Sequence, residues 1–136
     1  MRGSGVGVIV ATHGSLAEVL VATAETILGH KSALRPFVFH ESEGPKATSQ
    51  RLEGLIKRCD KGQGVILLVD LFGGTPGSLA LSMLRDKTVD VITGVNLPMV
   101  LTAAGIAPEA DLAAAGAAIV ESGVTAIKQA GQMLKS

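Results

Sequence analysis

Two residues with reactive side chains, His13 and Asp70, each stand at the end of a short run of Val, Ile, Leu and Ala. An imidazole that donates one ring N–H to a carboxylate has its tautomer fixed, and its other nitrogen keeps a lone pair that can attack an electrophile. His13 is therefore a candidate nucleophile, and Asp70 a candidate orienting group. Taken alone, a His at a strand end is more often structural and an Asp can simply cap a turn, so this interpretation depends on the fold.

Glycines follow both residues along the chain. Gly14 comes after His13, and the run Gly73-Gly74-Thr75-Pro76 comes after Asp70. Glycine lets backbone approach a ligand closely, and a helix N-terminus offers free N–H groups and a positive dipole end to an anion. The Thr75 hydroxyl can donate a further hydrogen bond. We therefore expect Gly14, Gly73, Gly74 and Thr75 to bind a phosphoryl group or another anion.

Four short runs rich in Val, Ile and Leu predict strands. They are continuous rather than alternating, which is typical of parallel strands buried on both faces. The predicted strands are Val6–Ala11, Leu34–Phe39, Val65–Val69 and Val89–Ile92. In the common order 2-1-3-4 the first and third are neighbours, so the loops that carry His13 and Asp70 meet where such sheets bind ligands.

Helical patterns lie between and after these strands. Ser15 and Glu18 predict a capping box for the first helix, and Gly29 predicts its end. Its expected apolar stripe is Leu16, Val19, Leu20, Thr23, Ala24, Ile27 and Leu28. The other helices are expected from Lys46 to Cys59, from Thr75 as N-cap with Leu79, Ala80, Met83 and Leu84 inward, from Asn96 to Ala104, and from Pro108 to Ser122. This alternation predicts one doubly wound α/β domain over residues 1–136, with a mostly parallel sheet covered on both faces. Residues 1–4 precede the first patterned segment and carry no prediction.

Composition excludes several classes of protein. The 136 residues carry 12 basic and 12 acidic side chains and three Phe as the only aromatic residues. No basic patch or stacking platform for nucleic acid is therefore expected. The single Cys59 cannot form an internal disulfide, and no signal peptide or apolar run of membrane-spanning length is present, which predicts a cytoplasmic protein. His30 and His40 lack partners at metal-ligand spacing and no nucleotide fingerprint occurs, so neither metal nor cofactor is expected.

Three segments, in this order and spacing, resemble the IIA components of the mannose class of the bacterial phosphoenolpyruvate-dependent sugar phosphotransferase system. They are Val8–Gly14, Leu68–Pro76 and Val91–Met99. The resemblance implies that His13 accepts a phosphoryl group at Nε2 from the carrier HPr, with Nδ1 turned toward Asp70 and Thr75 close to the phosphoryl group. It further implies transfer to a IIB protein, which phosphorylates sugar entering through membrane subunits IIC and IID. Because no IIB domain follows along the chain, a separate IIB protein is expected.

The same resemblance implies a homodimer in which an antiparallel C-terminal strand is exchanged, here Val124–Gln129. Ser78 departs from the Asn that many members carry at this position, which bears on partner or substrate preference. Two other functions stay open. One is a regulatory phosphoacceptor that serves no dedicated transporter, and the other is an anion-binding module that is never modified covalently.

Overall fold

A computed structural model describes residues 5–135 of the chain. One sheet of four parallel strands has the order β2-β1-β3-β4. The strands are β1 (Gly7–Thr12), β2 (Arg35–Val38), β3 (Val65–Val69) and β4 (Val89–Ile92). The helices are α1 (Leu16–Leu28), α2 (Pro45–Cys59), α3 (Gly74–Leu81), α4 (Leu97–Ala104), α5 (Leu112–Thr125) and α6 (Ala130–Met133). Over residues 5–135 no helix combines the length and the apolar character needed to cross a bilayer.

The core consists of two apolar layers, one on each face of the sheet. Successive side chains of a strand point to opposite faces. Val8 and Val10 of β1 therefore pack with α1, α4 and α5, whereas Ile9 and Ala11 pack with α2 and α3. All five residues of β3 are buried. The prediction of a doubly wound sheet in the order 2-1-3-4 is confirmed.

Helix α1 turns a different face to the sheet from the one its apolar stripe predicted. Ala17, Val21 and Ala24 are buried, whereas Val19 and Ile27 are more than half exposed. Two of the three buried side chains are methyl groups, which let the helix axis approach the sheet closely. The larger apolar side chains are left at the boundary with solvent, so of the predicted stripe only Ala24 is fully buried.

Helices α3 and α5 begin at residues other than those predicted. Gly73 is the N-cap of α3, so Thr75 is its second residue rather than its cap. Helix α5 begins at Leu112 because the Asp111 carboxylate accepts a hydrogen bond from the Ala114 N–H at 2.8 Å. Leu84 lies beyond the last residue of α3 and is 51% exposed rather than inward.

The segment Val124–Gln129 forms no strand in the single chain. Val124 and Thr125 belong to α5, and the Ala126 N–H continues the helical pattern by donating to the Ser122 carbonyl. A strand needs a neighbouring backbone, and none of the described residues supplies one here. Exchange of this segment with a second copy stays a prediction.

Candidate functional site

His13 lies in a tight connection between β1 and α1 that Thr12 organises. The Thr12 side chain is fully buried, and its hydroxyl accepts a hydrogen bond from the Ala17 N–H at 2.7 Å. The Leu16 N–H donates to the His13 carbonyl at 3.4 Å. Ser15 precedes the helix but caps nothing with its side chain, so the predicted capping box is wrong. Thr12 provides the cap instead of Ser15, because its buried hydroxyl accepts from the Ala17 N–H, one of the first N–H groups of α1.

Pairing of β1 with β3 brings His13 and Asp70 together. Ala11 of β1 lies opposite Val69 of β3, so the two strands end at the same level of the sheet. His13 Nδ1 lies 3.0 Å and 3.2 Å from the two Asp70 carboxylate oxygens, and the His13 N–H donates to the same carboxylate at 3.1 Å. Asp70 therefore fixes both the ring and the backbone of His13, and Nε2 is the ring nitrogen left open.

The surroundings of Asp70 keep it ionised. Burial raises the pKa of the Asp70 carboxyl. Hydrogen bonds from the His13 side chain and from the backbone at His13 and Asp70 outweigh burial and hold this pKa below its ordinary value of 3.8. The carboxylate side chain is 14% exposed, whereas the His13 side chain is 46% exposed. A charged, shielded carboxylate thus supports an accessible imidazole, which is the arrangement that fixes a tautomer.

The glycine loop lies beside the open nitrogen of His13. Gly74 has φ +81°, a left-handed conformation that favours glycine, and a Cβ built on it would lie 3.3 Å from Nε2. Gly14 (φ +56°) and Gly73 have nothing within 4 Å of such a Cβ. Thr75 is exposed and follows directly. The loop therefore leaves Nε2 accessible.

The two nearby helix N-termini differ in the N–H groups that they leave free. In α1 the Leu16, Ala17 and Val19 N–H groups donate to the preceding turn, whereas the Glu18 N–H has no acceptor among the described residues. Neither the Gly74 nor the Thr75 N–H of α3 has an acceptor among them. Both helices therefore keep donors for an anion, and those of α3 belong to the glycine loop that lies beside Nε2.

The loop after β4 contains Asn96, which contacts two helices. Asn96 caps α4 by accepting from the Met99 N–H at 3.0 Å, and its amide donates to the Gly123 carbonyl of α5 at 3.2 Å. Asn96 therefore joins two helices. Within residues 5–135 no three side chains of the metal-binding types converge.

Two residues that position the site were missed in the sequence. Thr12 is a polar residue at the end of an otherwise apolar strand, and that contrast is a signal that could have revealed it. Gly77 permits close packing of α3 on the glycine loop, since a Cβ there would lie 2.7 Å from the Leu71 carbonyl oxygen. No feature of the isolated sequence distinguishes Gly77 from a helix-weakening glycine.

The fold and the His–Asp pair define a class, a doubly wound α/β domain with an exposed histidine at its topological switch point. Residues 7–120 match the family model EIIA-man, described as PTS system fructose IIA component. The chain belongs to this family.

Individual relatives agree with this assignment. The chain is 33% identical over 97 residues to the mannose-specific EIIAB component of Escherichia coli (strain K12), covering 71% of this chain and 30% of that protein. It is 32% identical over 97 residues to the fructose-specific EIIA component of Bacillus subtilis (strain 168), covering 71% and 66%. The PTS IIA protein associated with the fucose utilization operon of Streptococcus pneumoniae superposes with a TM-score of 0.84 at 27% identity, covering 99% of this chain and all of that one. The chain thus spans less than a third of the E. coli relative's length.

Proposed function

We propose that the protein is a phosphocarrier in which His13 accepts a phosphoryl group at Nε2. The observation that carries the proposal is the pairing of Nδ1 with the Asp70 carboxylate at 3.0 Å, beside an Nε2 that faces the glycine loop. The donor is a phosphohistidine on another protein, and the Nε2 lone pair attacks its phosphorus in line with the bond between phosphorus and the donor's ring nitrogen. That bond breaks, and its electron pair stays on the donor imidazole. Asp70 stabilises the positive charge that the His13 ring gains.

The free N–H groups of Gly74 and Thr75 are placed to receive the phosphoryl oxygens. Phosphoryl transfer is accelerated chiefly by positioning and by stabilising charge on these oxygens. The positive end of α3 adds to the effect of its unpaired donors. We assign Gly14 and Gly73 the role of keeping side chains away from the phosphoryl group, and the Thr75 hydroxyl that of a further donor.

We assign HPr as the phosphoryl donor and a IIB protein as the acceptor, with IIC and IID subunits acting downstream. An exposed His13 suits transfer between proteins, because a donor carried on another macromolecule must reach the ring. Leu71 and Phe72, directly after Asp70, are 59% and 69% exposed and give the surroundings of His13 the apolar surface that protein docking uses. A cytoplasmic location follows from these partners.

A homodimer belongs to the same proposal. β4 is an edge strand, and Val124 and Ile127 are 65% and 76% exposed. Exposed apolar side chains near a strand edge fit pairing with a second copy. Light scattering on the purified chain should give twice the mass of one chain, and Ile127→Asp should lower it toward one chain.

The direct test is incubation with phosphoenolpyruvate, enzyme I and HPr, followed by intact mass and mapping of the modified residue. An acid-labile phosphoryl group on His13 is the expected result. A chase with a IIB protein should remove it, whereas persistence of the group with an active IIB would favour the regulatory phosphoacceptor. No modification, with enzyme I and HPr active on a control protein, would leave only reversible anion binding.

A further inference from the structure

A cavity lies at the opposite end of the sheet from His13. It has a volume of about 390 Å³ and is bounded by the first residues of β1 and β2 and by the ends of α2 and α4. We refer to it as the amino-end cavity. His13 follows the last residue of β1, so at about 3.3 Å per residue the two sites are roughly 20 Å apart.

The charged side chains that line the amino-end cavity are all cationic: Arg35 of β2, Arg58 of α2 and Lys61. The ion pairs found over residues 5–135 involve none of them. Asp60 lies between two of these positions in sequence, but its carboxylate accepts from the Gly62 and Gly64 N–H groups at 2.9 Å and 3.2 Å. The cavity therefore concentrates positive charge in a chain whose net charge is zero.

Glu25 contacts Ser32 of the cavity wall and is also engaged elsewhere. Its carboxylate accepts from the Ser32 N–H and hydroxyl, both at 2.9 Å. Lys31 pairs with the same carboxylate at 3.8 Å. Glu25 is thus held by its own turn and by Lys31, and among the described residues neither it nor Asp60 forms an ion pair with the three cavity cations.

The three cations of the cavity all act on the charge of the Cys59 thiol. This half-buried thiol lines the cavity. Burial raises the pKa of this thiol, while Arg35, Arg58 and Lys61 each act in the opposite direction. Arg35, Arg58, Lys61 and Cys59 all line the same cavity, so the three cations lie on the side to which the thiol is open. Apart from Ser32, the side chains of the remaining wall are apolar and include Val6, Leu34, Ala103 and Ala104.

We propose that the amino-end cavity binds a small phosphate-bearing molecule. Its volume lies within the range of small-molecule sites, roughly 300–1,000 Å³. Arginine binds phosphate in a two-pronged geometry, and two of the three cations are arginines. The apolar wall packs against the uncharged body of the ligand. A site so far from His13 leaves the phosphocarrier surface free when it is occupied.

Cys59 is the only cysteine of the chain, so its alkylation rate reports on the cavity. We expect glucose 6-phosphate to slow the reaction of Cys59 with iodoacetamide about fivefold at saturation, an effect comparable to one surface ion pair. Glucose, which lacks the phosphate, should leave the rate unchanged. Inorganic phosphate should also slow the reaction, but no more than glucose 6-phosphate does, because it supplies the charged group alone. Absence of protection by both phosphate compounds at millimolar concentration would overturn the proposal. Protection by an acidic peptide instead would assign the cavity to a protein surface and would equally overturn it.

Variants separate the cavity from the general charge of helix α2. The double variant R58Q/K61Q should lose protection, while Lys57→Gln is the matched control, because Lys57 lies in the same last turn of α2 but does not line the cavity. The ratio of alkylation by anionic iodoacetate to that by neutral iodoacetamide should fall in R58Q/K61Q and not in Lys57→Gln. An unchanged ratio in a variant with the parent's melting temperature would show that the cations do not act on the cavity. Phosphoryl acceptance by His13 is expected in all these variants, so failure of this proposal and failure of the phosphocarrier proposal are distinguishable.

Discussion

The two ends of the same parallel sheet use glycine and charge in opposite ways. At the carboxyl end, Gly14 and Gly73 face open space and leave His13 accessible. At the amino end, a Cβ on Gly7 would overlap the Cys59 carbonyl, and one on Gly64 would lie 2.8 Å from the Thr88 carbonyl oxygen. The loop glycines at the carboxyl end therefore maintain access, although Gly77 of α3 also packs closely there, whereas Gly7 and Gly64 at the amino end serve close backbone packing alone.

Charge follows the same division. At the carboxyl end, the His13 ring has a carboxylate partner that fixes its orientation. At the amino end, Arg35, Arg58 and Lys61 have no ion-pair partner in the part of the chain that the structure describes. A nucleophile must be oriented before it reacts, whereas a reversible anion site needs charge that is not already neutralised. The two ends are thus suited to covalent transfer and to binding respectively.

The largest expected effect is on phosphoryl acceptance in His13→Ala. Removal of the nucleophile should abolish acceptance from phospho-HPr, measured by intact mass after incubation with the complete donor system. The side chain is nearly half exposed, so the fold should persist, as circular dichroism and the melting temperature would show.

The other two histidines provide matched controls. His30 and His40 are both exposed, and neither lies in the site. His30→Ala and His40→Ala should accept the phosphoryl group at the parent rate. Full acceptance by His13→Ala, or loss of it in a control, would contradict the assignment of the reactive end of the sheet.

Asp70→Asn should slow phosphoryl acceptance about tenfold to hundredfold, on the scale of losing the partner that orients a functional histidine. The amide keeps the shape of the side chain but loses the negative charge beside Nδ1. Rapid-quench measurement of the first phosphorylation step gives the rate. An unchanged rate would mean that the pairing at 3.0 Å has no part in the reaction.

Gly74→Ala and Gly64→Ala distinguish the two roles of glycine. Both positions have positive φ, +81° and +87°, so each substitution costs about 1–2 kcal/mol of folding free energy from backbone strain. Only at Gly74 does the new methyl group approach Nε2, and only at Gly64 does it meet a backbone carbonyl at 2.8 Å. Gly74→Ala should therefore lower the phosphorylation rate more, and Gly64→Ala the urea unfolding midpoint more. The reverse ranking would contradict the comparison.

The smallest expected effect is on the pH dependence of stability, and it compares two arginines. Arg51 of α2 contacts the carboxyl end of β2 and is paired, whereas Arg35 at the amino end of β2 forms no ion pair among the described residues. Arg51 donates to the Val38 carbonyl at 2.7 Å and pairs with Glu43 at 2.8 Å, and this hydrogen bonding lowers the pKa of Glu43 from 4.5 to about 2. A depressed pKa stabilises the fold above pH 4.5, and the contribution is lost as the pH falls toward 2. Glu43→Gln should flatten the pH dependence of the urea midpoint in that window. Arg35→Gln at the other end should leave it unchanged, and an equal response of both variants would contradict the distinction.

The bounds of two strands and the reactive pair were predictable from the sequence. β3 and β4 have the predicted bounds. β3 is a continuous run of Val, Ile and Leu that is buried on both sides, whereas only Val89 of the edge strand β4 is buried. The meeting of His13 with Asp70 followed from the strand order. The buried face of α1 was not predictable, since the apolar pattern marked Val19 and Ile27 rather than the small residues that let the helix approach the sheet.

What the sequence by itself determined is the class of fold and the residues at the carboxyl end of the sheet, because strand hydrophobicity and residue type are local properties. Tertiary structure decided which N–H groups at the two helix N-termini stay free, since the Thr12 hydroxyl accepts from the Ala17 N–H only after β1 and α1 have packed. It also decided that Arg35 lines the same cavity as Arg58, Cys59 and Lys61. Arg58 and Lys61 flank Cys59 in sequence, whereas Arg35 belongs to β2, and only the packing of α2 against the sheet brings it to the other two cations.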